Sequence, residues 1–340
     1  MKALVFLGPG KFEFREVPRP EVGRGDVLVR VRAAGICGSE LEAYTGVSKK
    51  RVPPLILGHE LAGEVLEIGG DVSGVIPGER VVVQPLITCG VCAFCLRGKT
   101  NICPNRQLLS LNLPGGMAEF VSIPAEQVFP LPDTVSLSAG TLAEPLANGV
   151  HLLRRMGGVA HEPAVIYGGG AIGLLALAVL MHAGLKKIAV VEPNSARIEL
   201  ARRIGANRVF DPKHGGEISA QILFWSGDQG VATAVDAVGL SEARWAAVET
   251  AAPGGKIVCL GFHQSESAAD HRLVVSKELD ILGSYAYTND DFRRAIALLD
   301  EGAVDAEAIT MEAPFAEGPK CFQDLAEGRA PAAKVVLMME

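Results

Sequence analysis

Apolar positions in the first half of the chain form short runs, each closed by a Gly or Pro turn signal. This pattern is typical of β-strands. It predicts strands at residues 2–7, 27–33, 63–68, 80–84 and 120–123. After His151, strand-like runs alternate with helical stretches, which is typical of βαβ units. We therefore expect a parallel, doubly wound α/β sheet in the second half.

The strand-like runs of the second half are AVIYG, KIAVVE, RVF, TAVDAV, KIVCLGF and ELDILGSYAY. Helices are predicted to begin near Ala171, Asn194 and Ser241. An amphipathic helix is predicted from Asn289, with an Asn/Asp start and a Gly stop, and the remaining chain to KVVLMME reads as strand-like. The simplest arrangement is a dinucleotide-binding domain at residues 150–285, inserted into a β-rich domain formed by residues 1–149 and 286–340.

Composition and charge narrow the class of protein. At roughly 150 residues per domain, the 340 residues suggest two domains. The net charge of −7 gives no basic footprint for a phosphate backbone, so nucleic acid is not an expected partner. No apolar run reaches the roughly 18 residues that span a bilayer, and the first residues lack a long signal core. We expect a soluble cytoplasmic protein without a membrane partner.

A glycine-rich turn marks a nucleotide site. Gly168, Gly170 and Gly173 form a G-x-G-x-x-G frame directly between a predicted strand and helix. There the glycines permit a tight turn, a close approach to a pyrophosphate and close helix–strand packing. Glu192 ends the next strand, where a carboxylate accepts hydrogen bonds from a ribose and repels a 2′-phosphate, so NAD(H) is expected over NADP(H). Arg197 is either a second ribose contact or a solvated helix charge.

Four of the seven cysteines follow the spacing C-x2-C-x2-C-x7-C. These are Cys89, Cys92, Cys95 and Cys103. A tight loop can place four thiolates around one tetrahedral Zn²⁺. Because four protein ligands close the site, the zinc should stabilise a lobe at residues 86–107 and perform no chemistry. Cys259 and Cys321 lie in apolar or helical contexts and are expected in the core.

A second set of metal-binding residue types is spread over three motifs. GICGSELEAYTG holds Cys37, Ser39, Glu40 and Glu42, GHELAGEV holds His59 and Glu60, and LAEPLANGVH holds Glu144. Each residue alone is unremarkable, since a single Cys is usually buried and a single Glu is usually a surface charge. Together, thiolate, imidazole and carboxylate suit a catalytic zinc with three protein ligands and one open position.

These three motifs, the four-cysteine lobe and GGGAIG occur in an order that resembles the medium-chain, zinc-dependent alcohol dehydrogenase family, particularly its sorbitol, threonine and sugar-polyol dehydrogenase branch. Further matches are DAVG at residues 236–239, ILGS at residues 281–284 and the basic Lys334. The resemblance spans essentially the whole chain. It implies a Rossmann domain inserted into a GroES-like catalytic domain, two zinc ions per chain and a homo-oligomer, either a dimer or a tetramer.

The resemblance also implies roles for individual residues. Cys37, His59 and a glutamate are the implied ligands of the catalytic zinc, and Ser39 supplies the hydroxyl that touches the substrate alcohol. Glu144 is the favoured third ligand, while Glu60 is an exchanging ligand or lies just outside the ligand set. The implied cofactor contacts are Gly168, Gly170, Ala171, Ile172, Gly173, Glu192, Arg197, Val238, Ser284 and Lys334.

One position departs from the family pattern. Five residues after the zinc cysteine, many members carry a His that passes the alcohol proton to solvent, and here that position is Glu42. We expect water to replace the missing His, with Glu42 as the alternative relay. In the same stretch Lys49, Lys50 and Arg51 are interpreted as a solvated loop, although a cationic pocket for a sugar phosphate is the alternative.

The expected activity is reversible hydride transfer between NAD(H) and a secondary alcohol, polyol or sugar alcohol, with zinc acting as a Lewis acid and Ser39 taking the alcohol proton. One alternative is a carbonyl reductase that uses the same site mainly in reverse. The other is a zinc-ribbon interaction protein with a vestigial site, which would hold about one zinc ion per chain instead of two.

Overall fold

The computed structural model describes residues 1–158, 161–214, 216–266 and 271–340. They fold as two compact units. The first comprises Met1–Glu144, Thr288–Gly302 and Thr310–Glu340, and the second comprises Pro145–Tyr287 and Ala303–Ile309. The boundaries predicted from the sequence, at residues 149/150 and 285/286, differ from these by a few residues. The short segment Ala303–Ile309 is attached to the rest of the second unit by an ion pair. The Asp305 carboxylate accepts hydrogen bonds from the Arg203 guanidinium at 2.9 and 3.1 Å.

The strands are β1 (Lys2–Gly8), β2 (Lys11–Glu16), β3 (Asp26–Gly35), β4 (Leu55–Ile56), β5 (Glu60–Ile68), β6 (Arg80–Val83), β7 (Leu86–Ile87), β8 (Gln107–Leu108), β9 (Phe120–Pro124), β10 (Val128–Pro130), β11 (Ala164–Tyr167), β12 (Ile188–Val191), β13 (Arg208–Phe210), β14 (Val231–Asp236), β15 (Ala251–Cys259), β16 (Asp280–Gly283), β17 (Thr310–Pro314) and β18 (Lys334–Met338). The helices are α1 (Gly38–Tyr44), α2 (Leu137–Gly140), α3 (Ala143–Arg155), α4 (Ala171–His182), α5 (Ser195–Ile204), α6 (Ile218–Ser226), α7 (Ser241–Thr250), α8 (His271–Ser276), α9 (Asn289–Asp300), α10 (Ala306–Ile309) and α11 (Gly318–Ala326).

The first unit is built on a mixed sheet of seven strands in the order β10-β6-β5-β3-β18-β17, with β9 also paired to β3. The C-terminal strand β18 pairs antiparallel with β3, where Leu337 lies opposite Ala34, and parallel with β17. Consecutive residues of these strands are buried, as in Val81–Val83 of β6 and Val335–Leu337 of β18, so both faces of the sheet are covered there. This pairing brings residues 336–338 beside residues 33–35, near the start of α1.

Two smaller sheets complete the first unit. Strands β2, β1 and β4 form an antiparallel sheet. Strands β7 and β8 pair antiparallel, with Leu86 opposite Leu108 and Ile87 opposite Gln107. This short antiparallel pair joins the two ends of the cysteine-containing segment, which is predicted at residues 86–107.

The second unit is a parallel six-stranded sheet in the order β13-β12-β11-β14-β15-β16. The order reverses direction beside β11, so the sheet is doubly wound and the predicted α/β class is confirmed. The central strands β11 and β12 are buried at every position, because helices cover both faces of such a sheet. Helix α4 is buried along Gly173–Leu180 for the same reason.

The predicted elements agree with the structure except near the C-terminus. Helix α9 begins after a capping box in which Thr288 accepts a hydrogen bond from the backbone N–H of Asp291 and the Asp291 carboxylate accepts one from Thr288 N. The chain that follows is not uniformly strand-like, because α10 and α11 interrupt it before β18. Pro at the start of α11 and its strongly one-sided apolar face, with Cys321 and Phe322 buried, account for that helix. Within the described residues no helix is long and apolar enough to cross a bilayer.

Candidate active site and metal centres

The four cysteines of the lobe converge on one point. Cys92 Sγ lies 3.5 Å from Cys95 Sγ and 3.9 Å from Cys103 Sγ, and Cys103 Sγ lies 3.5 Å from Cys89 Sγ. Thiolates bound to zinc at about 2.3 Å form a tetrahedron with edges of about 3.8 Å, so these separations fit one zinc ion. All four thiols are free of disulfides.

Backbone hydrogen bonds favour the thiolate form of Cys89, whereas burial raises the pKa of Cys95 to about 11. The N–H groups of Val91 and then Cys92 donate hydrogen bonds to Cys89 and lower the pKa of its thiol to about 6. Thiolate, not thiol, is the species that binds a metal. The lobe therefore presents four sulfurs with the spacing and part of the electrostatic support that a closed zinc site needs.

The second metal candidate combines residues from two segments. The ligand atoms of Cys37, which precedes α1, and of His59 and Glu60, at the start of β5, lie within 4.8 Å of one another. His59 and Glu60 are buried, while Cys37 is partly exposed. One thiolate, one imidazole and one carboxylate make up the donor set of a zinc site with an open position.

Glu40 orients the histidine of this cluster. Its Oε1 accepts hydrogen bonds from His59 Nδ1 at 2.7 Å, Ser110 Oγ at 2.6 Å and Gly58 N at 2.8 Å. A carboxylate only accepts, so Nδ1 carries the hydrogen and Nε2 is left for a metal. No role for Glu40 is predicted from the sequence, although its position three residues after Cys37, in the first turn of α1, is a signal for it.

The charges in this cluster are strongly coupled. Burial alone would raise the pKa of Glu40, but the charge and hydrogen bond of His59, followed by the charge of Arg51, lower it to about 2. Burial alone would lower the pKa of His59, but Glu40 and then Cys37 raise it well above its usual range. In the metal-free protein the pair is therefore held in its charged form, and a bound cation would take over the proton's role at the imidazole.

Glu60 is paired with Lys334. The Lys334 ammonium donates to both carboxylate oxygens of Glu60 at 2.6 Å and to the Ile36 carbonyl at 3.1 Å. Gly35 makes room for this carboxylate, because a Cβ there would overlap Glu60 Oε2. All three ammonium hydrogens are thus in use within the first unit. The contact with the cofactor predicted for Lys334 would require it to leave one of these partners.

The third-ligand prediction favoured Glu144, and the structure brings the other candidate closer. Glu60, and not Glu144, shares the 4.8 Å cluster with Cys37 and His59 among the described residues. The reason is local, because Glu60 follows His59 directly on the chain. Glu144 is half-buried in the first turn of α3. Burial would lower the pKa of Lys334, but the charges of Glu60, then Cys37 and then Glu144 raise it above its usual value. Glu144 is therefore close enough to act on Lys334 through its charge.

Ser39 and Glu42 lie on α1, two and five residues after Cys37. The Ser39 hydroxyl lies 3.5 Å from Cys37 Sγ and also accepts a hydrogen bond from Arg51 Nη2 at 3.1 Å. The interpretation of residues 49–51 as a solvated loop is therefore wrong for Arg51, which is only 6 % exposed, although Lys49 and Lys50 are exposed. Glu42 is half-buried on α1.

The glycine turn of the second unit has the shape that a pyrophosphate needs. Gly168 has φ +102°, a conformation that suits glycine, and a Cβ there would lie 2.5 Å from Val238 Cγ2. A Cβ on Gly173 would overlap the Gly168 carbonyl oxygen, so this glycine permits the helix to pack on its strand. Gly170 is the N-cap residue of α4, and a Cβ there would meet only Arg197 Nη1, at 3.9 Å.

The other predicted cofactor residues line the same sheet. Glu192, buried at the end of β12, accepts hydrogen bonds from Gly169 N at 2.7 Å and from Asn194 N at 2.8 Å. Ala171 and Ile172 form the half-buried first turn of α4. Ser284, just after β16, is buried, and its hydroxyl has no hydrogen-bond partner among the described residues. An open glycine turn, a fixed carboxylate and an unsatisfied hydroxyl together fit a dinucleotide.

Two family models match the chain. Residues 23–133 match the alcohol dehydrogenase GroES-like domain, and residues 171–301 match the zinc-binding dehydrogenase domain. The first match contains both candidate metal centres apart from Glu144 and Lys334. The second begins at Ala171, in the first turn of α4 that follows the glycine turn.

Relatives with named activities are similar over nearly the full length. The L-threonine 3-dehydrogenase of Shewanella sp. (strain ANA-3) is 32% identical over 95% of this chain and 94% of its own. The 2-dehydro-3-deoxy-L-galactonate 5-dehydrogenase of Pseudoalteromonas atlantica is 34% identical over 96% and 95%. A zinc-binding dehydrogenase from Sinorhizobium meliloti 1021, solved with NADP bound, superposes with a TM-score of 0.89 at 31% identity and covers 99% of both chains.

Proposed function

Because the chain belongs to the medium-chain, zinc-dependent alcohol dehydrogenase family, we propose which of its residues carry out the family's reaction. The protein is an alcohol or polyol dehydrogenase that uses zinc and a nicotinamide cofactor. Cys37, His59 and one glutamate hold the catalytic zinc, and Ser39 handles the substrate proton. The observation that supports this best is the cluster of Cys37, His59 and Glu60, with the Ser39 hydroxyl 3.5 Å from the cysteine sulfur.

The protein's own groups prepare this site in three ways. Glu40 holds His59 in the tautomer that presents Nε2. Lys334 donates to both carboxylate oxygens of Glu60 and partly offsets its charge, which favours Glu144 as the third ligand in the resting protein, with Glu60, whose oxygens keep lone pairs, as the exchanging ligand. Ser39 stands beside Cys37 with a hydroxyl that can take the proton of the substrate alcohol while its own hydrogen passes to water. Zinc, when bound, supplies a Lewis acid that makes the substrate oxygen easier to deprotonate.

The lobe of Cys89, Cys92, Cys95 and Cys103 holds a second, structural zinc. Its sulfurs are fixed by the ladder of β7 and β8 and by backbone N–H groups. Four protein ligands leave no position for a substrate. Because both proposed sites need reduced thiolates, we assign the protein to a reducing compartment, the cytoplasm. We further propose a homo-oligomer, which size-exclusion chromatography with light scattering tests.

The cofactor proposal is NAD(H) in preference to NADP(H). Glu192 is fixed by two backbone N–H groups yet keeps lone pairs that can accept from a ribose diol, and its negative charge opposes a 2′-phosphate. The turn at Gly168 to Gly173 and the start of α4 receive the pyrophosphate. Arg197, Val238 and Ser284 would line the remaining surface of the cofactor, which would supply the hydride acceptor for the alcohol.

The test of the cofactor proposal compares kcat/KM for NAD⁺ and NADP⁺ in the wild type and in Glu192→Ala. A preference for NAD⁺ that falls strongly in the variant supports the assignment. Equal or better use of NADP⁺ by the wild type contradicts it. Secondary alcohols, polyols and sugar phosphates are screened in both directions, because a protein acting mainly as a carbonyl reductase would show its higher kcat/KM with the ketone.

Zinc content tests the metal sites independently of turnover. Two zinc ions per chain support both assignments, whereas one ion held by the cysteine lobe would support an interaction protein with a vestigial site. The Cys37→Ser and Cys92→Ser variants should each lose a different ion.

A further inference from the structure

Arg51 is a buried cation inside the active-site unit. Its guanidinium donates from Nη1 to the Ser39 carbonyl at 2.8 Å, from Nη2 to Ser39 Oγ at 3.1 Å and from Nε to the Ser110 carbonyl at 2.7 Å. Among the described residues no carboxylate oxygen lies within 4.0 Å of it, so it is not held by a direct ion pair. A buried charge is costly unless hydrogen bonds and nearby opposite charge compensate it, which indicates a specific role for these contacts.

Ser110 connects Arg51 to the histidine of the metal cluster. Its carbonyl and its Oγ both accept from Arg51 Nε, at 2.7 and 3.3 Å, and the same Oγ donates to Glu40 at 2.6 Å. Ser110 has φ +67°, an uncommon conformation for a residue with a Cβ. The surrounding structure holds this backbone so that one serine contacts both Arg51 and Glu40.

The contact with Ser39 decides where the Ser39 hydrogen points. A guanidinium has five N–H donors and no acceptor, so Ser39 Oγ must accept from Arg51. The hydroxyl hydrogen is then directed to another partner, and Cys37 Sγ lies 3.5 Å away. One lone pair of Oγ remains to accept a hydrogen bond from a substrate alcohol, and on uptake of that proton the hydroxyl's own hydrogen leaves to water. The Nη1 bond to the Ser39 carbonyl fixes the same residue through its backbone.

We propose that Arg51 is a positioning residue that fixes the rotamer and hydrogen direction of the Ser39 hydroxyl on the side of Cys37. This inference rests on the role of Ser39 proposed above. The Arg51 guanidinium only donates hydrogen bonds here and is not itself part of the proton transfer. It acts through geometry, with the two Nη groups holding the backbone and side chain of one serine.

A double-mutant cycle tests this inference. Kcat and KM are measured for wild type, Arg51→Lys, Ser39→Ala and the double variant, with Lys49→Met as an exposed control from the same segment. Because a misplacement of about 1 Å can cost about a hundredfold in rate, Arg51→Lys should lower kcat by about tenfold to a hundredfold with KM little changed. In the Ser39→Ala background the same change should have almost no further effect on kcat.

Zinc content and urea unfolding of the four proteins give readouts that need no turnover. Both zinc ions should be retained, and the effects of Arg51→Lys and Ser39→Ala on unfolding should also be non-additive. Losses in kcat that multiply in the double variant would overturn the inference, as would an effect on KM alone. If Ser39→Ala itself keeps the wild-type kcat, the proposed role of Ser39 is wrong, which is a different outcome from failure of the cycle.

Discussion

The ammonium of Lys334 lies 2.6 Å from both carboxylate oxygens of Glu60, although 274 residues separate them in the chain. Both side chains are buried, with exposures of 3% and 1%. Removing one partner of a buried pair leaves an uncompensated charge and typically costs about 3–5 kcal/mol. Lys334→Met should therefore lower the free energy of unfolding by about that amount, as measured by urea denaturation. The exposed Lys320→Met is the control, and equal stability of the two variants would contradict the pairing.

The same pairing predicts how the two glutamates share the catalytic zinc. Because the Lys334 ammonium donates to both oxygens of Glu60 and partly offsets its negative charge, Glu144→Gln should weaken zinc binding more than Glu60→Gln does, by about 10- to 100-fold or more. Chelator competition, with the zinc retained per folded chain as the readout, measures this. Loss of the catalytic zinc only in Glu60→Gln would make Glu60 the resting ligand.

The closed cysteine site should contribute to stability more than to chemistry. Cys92→Ser removes one of four sulfurs that lie 3.5–3.9 Å apart, and loss of the zinc removes folding free energy. We expect a loss of one zinc ion per chain and a fall in Tm of more than about 4 °C, with activity per folded molecule largely kept. Cys259→Ser, outside either cluster, is the control. An unchanged Tm would refute the structural assignment.

Proton handling is tested by two substitutions on α1. Ser39→Ala should lower kcat by roughly 10² or more, because a positioned proton carrier is lost. Glu42→Gln should leave kcat within roughly tenfold of wild type if water replaces the His that other family members carry at this position. A hundredfold loss in Glu42→Gln, at unchanged stability, would instead identify Glu42 as the relay.

Tyr167 gives the second unit a predictable response to alkaline pH. Burial, which outweighs its hydrogen bond with Thr250 Oγ1 at 2.7 Å, raises the pKa of the phenol above the usual value of about 10. Because the phenol has a higher pKa in the folded state, the unfolded chain ionises first. The contribution of this group to stability is therefore fully present below the unfolded pKa of about 10 and is lost as the pH rises above it. Urea unfolding of wild type and Tyr167→Phe between pH 8 and about pH 11 should show a steeper alkaline loss for wild type. Parallel curves would contradict this.

Local spacing was sufficient to predict much of this protein. The four cysteines fall within 15 residues, so almost any compact loop brings their sulfurs together, and the glycine turn lies between the strand and the helix that it connects. The alternation of strands and helices likewise predicted the doubly wound sheet, because each βαβ unit is specified by neighbouring residues. Such features depend on contacts close in sequence, which the residue pattern itself contains.

Tertiary structure alone decided which polar residues are buried and which partners they have. Beside Lys49 and Lys50, Arg51 is predicted from the sequence to be a solvated charge. In the folded protein it contacts Ser39 and also Ser110, which is 59 residues away in the chain. Glu60 follows His59 as an apparent ligand, but the pairing of β18 with β3 brings Lys334 to its carboxylate. The sequence determined which chemical groups are present, whereas long-range strand pairing and burial determined their partners, because a single polar residue in the sequence carries no record of a distant contact.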